Sequence, residues 1–142
     1  MARQNLTDII FKLSIDLGAQ LERSPELEGL DLPQMHMRTL RHLSDNGTAT
    51  PLAIASTINR DRGHVTRLLQ ELSAEGLITL KPNPQDGRSK LVVLTAKAQD
   101  IFARVHAAEA RIYGRAVAEV GQDELATFFK VARKISDNLT GG

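Results

Sequence analysis

The sequence predicts a mainly α-helical fold carrying one small β-hairpin (α+β), a winged helix-turn-helix flanked by N- and C-terminal dimerisation helices. Three observations predict it. Apolar residues recur at helical spacing along most of the chain. Two short apolar-striped segments stand three or four residues apart near the middle, and two β-rich runs around a proline-bounded turn follow them at once.

The first helix is read from Leu6, Ile9, Ile10, Leu13, Leu17 and Leu21, whose spacings of three and four place them on one face. Ser24-Pro25 ends it, because proline supplies no N–H and crowds the turn before it. A short acidic connector reaches Asp31. Pro33 opens a second helix with Met37, Leu40 and Leu43 inward, and Asn46-Gly47 stops it through a left-handed cap.

Thr48-Ala49-Thr50-Pro51 reads as a fresh helix start, with Thr50 as N-cap and Pro51 at the first helical position. Leu52, Ile54, Ala55 and Ile58 supply the packing face of this third helix. After the break at Asn59-Arg60-Asp61, Asp61 caps a fourth helix that buries Val65, Leu68, Leu69 and Leu72 and ends at Gly76. Leu77-Ile78-Thr79-Leu80 and Leu91-Val92-Val93-Leu94 are the strands of a hairpin, joined through Pro82, Asn83, Pro84, Asp86 and Gly87. Thr95 caps a long fifth helix carrying Ile101, Phe102, Val105, Ala108, Ile112 and Val117. Gly121 breaks the pattern, and a last helix over 122–138 aligns Leu125, Phe128, Phe129, Ala132, Ile135 and Leu139.

The 142 residues suffice for one domain that buries its own core. The organisation expected is one domain over 1–142, with the winged helix-turn-helix part at 33–95 and flanking helices at 1–32 and 96–142. The chain has no cysteine, which removes disulfides, thiolate metal sites and thiol switches together. No signal peptide or membrane span is read, so a cytoplasmic location without membrane contact is expected. Net charge is only +1. Its distribution is uneven: residues 1–32 hold three basic against six acidic side chains, residues 60–90 six basic against four acidic. A basic middle beside an acidic start points modestly toward an anionic partner.

The fourth helix gives that pointer substance. Off its apolar stripe stand Arg62, Gly63, His64, Thr66, Arg67 and Gln70, crowding the N-terminal half that meets base edges in a groove-reading helix. Arg88, Ser89 and Lys90 follow the Asp86-Gly87 turn at the hairpin tip, where a long cation is drawn to the potential of a neighbouring groove. The expected DNA-binding residues are Arg62, His64, Thr66, Arg67, Gln70, Arg88, Ser89 and Lys90, with Asp86 and Gly87 shaping the wing. His64 keeps two readings, a donor to a base edge or ordinary surface. Asp86 also has two compatible roles, since Asp-Gly initiates a turn whatever the function.

This succession resembles the MarR-type transcriptional regulators. The resemblance runs through Leu52-Ala53-Ile54-Ala55, Val65-Thr66-Arg67-Leu68-Leu69-Gln70-Glu71-Leu72 and Glu75-Gly76-Leu77-Ile78. It ends in Pro84-Gln85-Asp86-Gly87-Arg88-Ser89-Lys90-Leu91-Val92-Val93-Leu94-Thr95. The resemblance implies a homodimer with interlocking terminal helices that docks on a near-palindromic duplex. It also implies that Arg88 enters the minor groove, that Arg67 is the family's arginine on the reading helix, and that Asp86 holds the wing loop. A repressor relieved by a small-molecule effector is its functional implication. The chain departs from the pattern at His36 and Met37, where a glutamine and an aromatic residue are common, and at Gly87, where a second basic residue is common. The first departure falls near the family's effector pocket, so no effector is named.

Two rivals share the fold, a non-specific nucleoid-type binder and a winged-helix protein-interaction module; the presence of Arg67 and Arg88 disfavours the second. An enzyme is not expected. Ser14, Ser24, Ser44, Ser56, Ser73, Ser89 and Ser136 lack a glycine-flanked elbow, and no phosphate-cradling glycine loop occurs. No cofactor or metal is expected either, because His36, His42 and His106 lack paired spacing and read as ordinary polar or packing residues.

Overall fold

The computed structural model describes residues 5–141; residues 1–4, and with them Arg3 of the acidic first segment, lie outside it, as does residue 142. Six α-helices and a three-stranded antiparallel sheet make up the described chain. They are α1 (Leu6–Glu22), α2 (Gln34–Asn46), β1 (Thr48–Ala49), α3 (Pro51–Ile58), α4 (Arg62–Ala74), β2 (Ile78–Pro82), β3 (Lys90–Leu94), α5 (Ala96–Ala116) and α6 (Gln122–Thr140). A 3-10 turn at Pro25–Leu27 interrupts the connector between α1 and α2. Residues fall into two compact units, Met1–Ala108 and Glu109–Gly142.

Local chemistry sets the element ends in the first unit. The Asn5 side chain accepts from the Thr7 amide at 3.0 Å, and α1 stops at the residues before Pro25. Gly47 follows α2 at φ +82 and Gly76 follows α4 at φ +73, conformations that cost a residue with a Cβ. Thr50 accepts from the Ala53 amide at 3.2 Å, while Pro51 occupies the first turn of α3. Asn59 turns left-handed at φ 53 and halts α3, leaving three residues before α4.

The core lies under the sheet and between the central helices. Leu40 and Leu43 of α2, Ile54 and Ile58 of α3, and Val65, Leu68, Leu69 and Leu72 of α4 meet there. Leu77, Ile78, Val92 and Leu94 join from the hairpin, and Ala98, Phe102 and Val105 from α5. Each fully buried aliphatic side chain contributes about 1.5–3 kcal/mol relative to exposure. In β3 the alternation is that of a half-buried strand, with Val92 and Leu94 inward. The sheet order is β1-β3-β2, with Ile78 opposite Leu94 and Pro82 opposite Lys90. Thr95 joins hairpin to helix: its hydroxyl donates to the Gly76 carbonyl at 2.7 Å and accepts from the Ala98 amide at 3.2 Å. The acidic connector is held by Arg104, whose guanidinium donates to the carbonyls of Glu26 and Glu28 at 2.8 and 2.7 Å.

Two expectations need correction. Thr48-Ala49 is not merely a lead-in to a helix; it forms β1, pairing Thr48 with Val93 and Ala49 with Val92. Leu52 does not pack inward but is 66% exposed, because the face of the short α3 that meets the core is made by Ile54, Ile58 and the half-buried Ala55.

α1 buries none of its residues: Leu6, Ile9, Ile10, Phe11, Leu13, Ile15 and Leu17 all stay exposed. In the second unit α6 likewise buries none, and Phe128, Phe129, Val131 and Leu139 are exposed. The Glu124 carboxylate accepts from the Gly121 amide at 2.9 Å and caps that helix.

Candidate DNA-binding surface

Helix α4 is built to display one polar face. Its four buried residues anchor it, and Arg62, Gly63, His64, Thr66, Arg67 and Gln70 are all exposed on the remaining surface. The N-cap is Asp61, whose Oδ1 accepts from the His64 amide at 2.9 Å and lies 3.0 Å from His64 Nδ1. The backbone N–H of His64, then its imidazole, hold the Asp61 carboxyl below its ordinary range. Nδ1 serves as the donor, which leaves Nε2 as the unengaged ring nitrogen of His64.

The wing tip is shaped by short local bonds. Asp86 Oδ1 accepts from the Arg88 amide at 3.0 Å and its carbonyl from the Ser89 amide at 3.2 Å. Asn83 adds a second layer, accepting from the Gln85 amide at 3.0 Å and donating to the Ser89 hydroxyl at 2.9 Å. Sequence reasoning assigned the shaping to Asp86 and Gly87; Asn83 is the partner it missed. Gly87 itself avoids the left-handed region, and an added Cβ would meet open space.

Between α4 and the wing lies a groove of about 640 Å³. Arg62, Thr66 and Gln70 line it from α4, and Arg88, Ser89 and Lys90 from the wing, so six of the eight expected contact residues share one concavity. Three are cations and no acidic side chain lines the groove. Among the described residues the guanidinium groups of Arg62 and Arg88 and the Lys90 ammonium make no hydrogen bond or ion pair, so their charge faces solvent. Thr50, Pro51, Leu52, Val65, Leu69, Ser73 and Leu80 complete the wall. Of these, Thr50-Pro51 is the start of α3, and Leu52 and Leu80 are apolar and more than half exposed.

Arg67 and His64 are not in that groove. They line a smaller hollow of about 260 Å³ on the other flank of α4, with Arg60 and with His36 of α2. His36, expected to be an ordinary polar or packing residue, is buried and bonded to Glu71 of α4 at 2.8 Å. No group of three or more histidine, aspartate or glutamate side chains converges as metal ligands among the described residues. No helix there is long and apolar enough to cross a membrane.

A short bracing helix, an exposed polar helix behind it and a cationic hairpin beside it define a winged helix-turn-helix DNA-binding protein. The comparisons agree. Residues 30–89 match the MarR family model. The chain is 29% identical over 110 residues to the multiple antibiotic resistance protein MarR of Salmonella typhimurium, covering 77% of this chain and 76% of that one. Among solved structures, NadR in complex with 4-hydroxyphenylacetate superposes with TM-score 0.77 at 18% identity, covering 95% of this chain and 94% of NadR. Apo MarR from E. coli gives TM-score 0.68 at 24% identity, covering 95% and 98%. Over residues 30–89 the chain is thus similar to the MarR family of DNA-binding transcriptional regulators, and it shares the fold of the solved MarR proteins.

Proposed function

We propose that this chain is a sequence-specific repressor that works in the cytoplasm as a homodimer on a near-palindromic operator and is released by a small-molecule effector. The observation that carries DNA reading is the groove between α4 and the wing, where Arg62, Arg88 and Lys90 converge with no acidic residue among its lining. Cations held this way gain affinity from counterion release at phosphates, and the polar residues between them, Thr66 and Gln70, supply hydrogen-bonding to base edges. Arg67, exposed on the ridge beside the groove, supplies a further contact, and His64 stands next to it. Residues 33–95 form the DNA-binding part in this reading, with 1–32 and 96–142 as dimerisation helices.

The dimer is supported by α1, a 17-residue helix that exposes apolar side chains all round. A helix of that kind is stable in water only when another surface covers it, and a stable interface needs upward of about 1,000 Å². Two copies also double the contacts over a palindrome. The effector follows the precedent of NadR, whose solved structure holds a small organic acid. Ligand acts here by changing the distance between the two reading helices, so that one half-site is lost.

Titration of the purified chain on its operator and on scrambled duplexes at one salt concentration tests this reading. A specific regulator prefers its site by about 10³-fold or more. Equal affinity for both duplexes would return the non-specific binder as the better account.

A further inference from the structure

We propose that His36 is a positioning residue for the reading helix: it captures the Glu71 carboxylate from α2 and so keeps that charge off Arg67. The inference rests on the DNA-binding reading above. His36 is the one buried histidine among the described residues, 5% exposed. Its Nε2–H donates to Glu71 Oε2 at 2.8 Å across 35 residues of sequence, and Nδ1 lies 3.9 Å from Glu75 Oε1. The ring thus faces two carboxylates one turn apart, Glu71 on α4 and Glu75 at its C-cap. Nδ1 has no hydrogen-bond partner. An imidazole buried with an orphaned nitrogen is poor packing material, so its value lies in the bond it does make.

That bond matters because of where Glu71 stands. It follows Arg67 by four residues, the spacing at which opposite charges on a helix pair. Both side chains line the same hollow beside His36, and both are exposed, yet no ion pair joins them. A guanidinium tied to a neighbouring carboxylate is lost to DNA, and a free carboxylate on the reading helix repels phosphate. With Glu71 held by α2, Arg67 stays available.

The test uses the full chain and the duplex it selects from a random library. His36→Leu keeps apolar bulk but removes the donor, and binding weakens about tenfold. Adding Glu71→Gln to His36→Leu restores affinity to within about threefold of the wild type, because no carboxylate is left to draw Arg67. His36→Gln, whose amide also donates, stays near the wild type. His36→Met, an adaptable unbranched replacement, runs alongside in case the leucine variant does not fold, with thermal unfolding recorded for each. A histidine that merely packs predicts no rescue by Glu71→Gln, and that result overturns the inference while DNA binding stands. A wild-type chain that selects no duplex overturns both.

Discussion

Asp61 Oδ1 accepts the backbone N–H of His64 at 2.9 Å and the His64 ring Nδ1–H at 3.0 Å, so one carboxylate both starts α4 and orients a side chain on it. Geometry and charge act together here, because a carboxylate at a helix N-terminus also meets the positive end of the dipole. The cap is local, but its consequences reach the whole polar face.

The Asp61 carboxyl is held below its ordinary value of 3.8, chiefly by the His64 backbone N–H and then by the His64 side chain. A depressed folded-state value means its contribution is complete above the unfolded value and is lost as pH falls through the folded one. We predict that Asp61→Asn, which keeps the accepting oxygen but does not titrate, preserves α4 at neutral pH. Wild-type stability should then fall relative to Asp61→Asn on acidification through that range. Acid unfolding followed by circular dichroism tests this, and parallel curves would refute it. Asp61→Ala should speed amide exchange at His64.

Arg67 and Lys90 should fail differently. Arg67→Ala is expected to cost operator binding about 1–3 kcal/mol, and to relax sequence preference. Lys90→Ala should weaken all duplexes alike and reduce the salt slope by about one. Fluorescence anisotropy on operator and scrambled duplexes at several salt concentrations distinguishes them. If both variants retained wild-type operator affinity, the assigned surface would be wrong.

Gly87 is the place to add a cation. Its backbone φ is ordinary and a Cβ there meets nothing within 4 Å, so a lysine enters without strain. Gly87→Lys should raise affinity for every duplex and steepen the salt slope by about one. An unchanged slope would mean the wing tip does not approach phosphate.

Thr95 offers a stability test away from DNA. Its hydroxyl bonds Gly76 O and caps α5 through the Ala98 amide, tying the strand end to the helix. Thr95→Ala should destabilise the chain by about 1–2 kcal/mol in urea unfolding. Thr95→Ser should recover most of that. A serine variant as weak as alanine would assign the effect to the lost methyl.

What the sequence made legible is what local physics decides. The apolar stripe Val65-Leu68-Leu69-Leu72 announces α4, Thr50 and Asp61 announce caps, and Asp86-Gly87 announces the wing turn, because each depends on neighbours within one helical turn or loop. β1 was hidden: its two residues pair with Val92 and Val93, more than forty positions away. Leu52 has the right period for burial, but period says nothing about whether another element covers that side. The His36–Glu71 bond was equally invisible, since it depends on how α2 lies against α4. Of the surface proposed for DNA, the cations were legible and their division between a groove and a second hollow was not.

Selection of bound duplexes from a random library, followed by titration of the enriched sequence, tests the central claim most directly. The account predicts a two-fold symmetric motif, bound about 10³-fold more tightly than scrambled DNA, with that preference diminished in Arg67→Ala. Enrichment of no motif, or equal binding to every duplex, would contradict it.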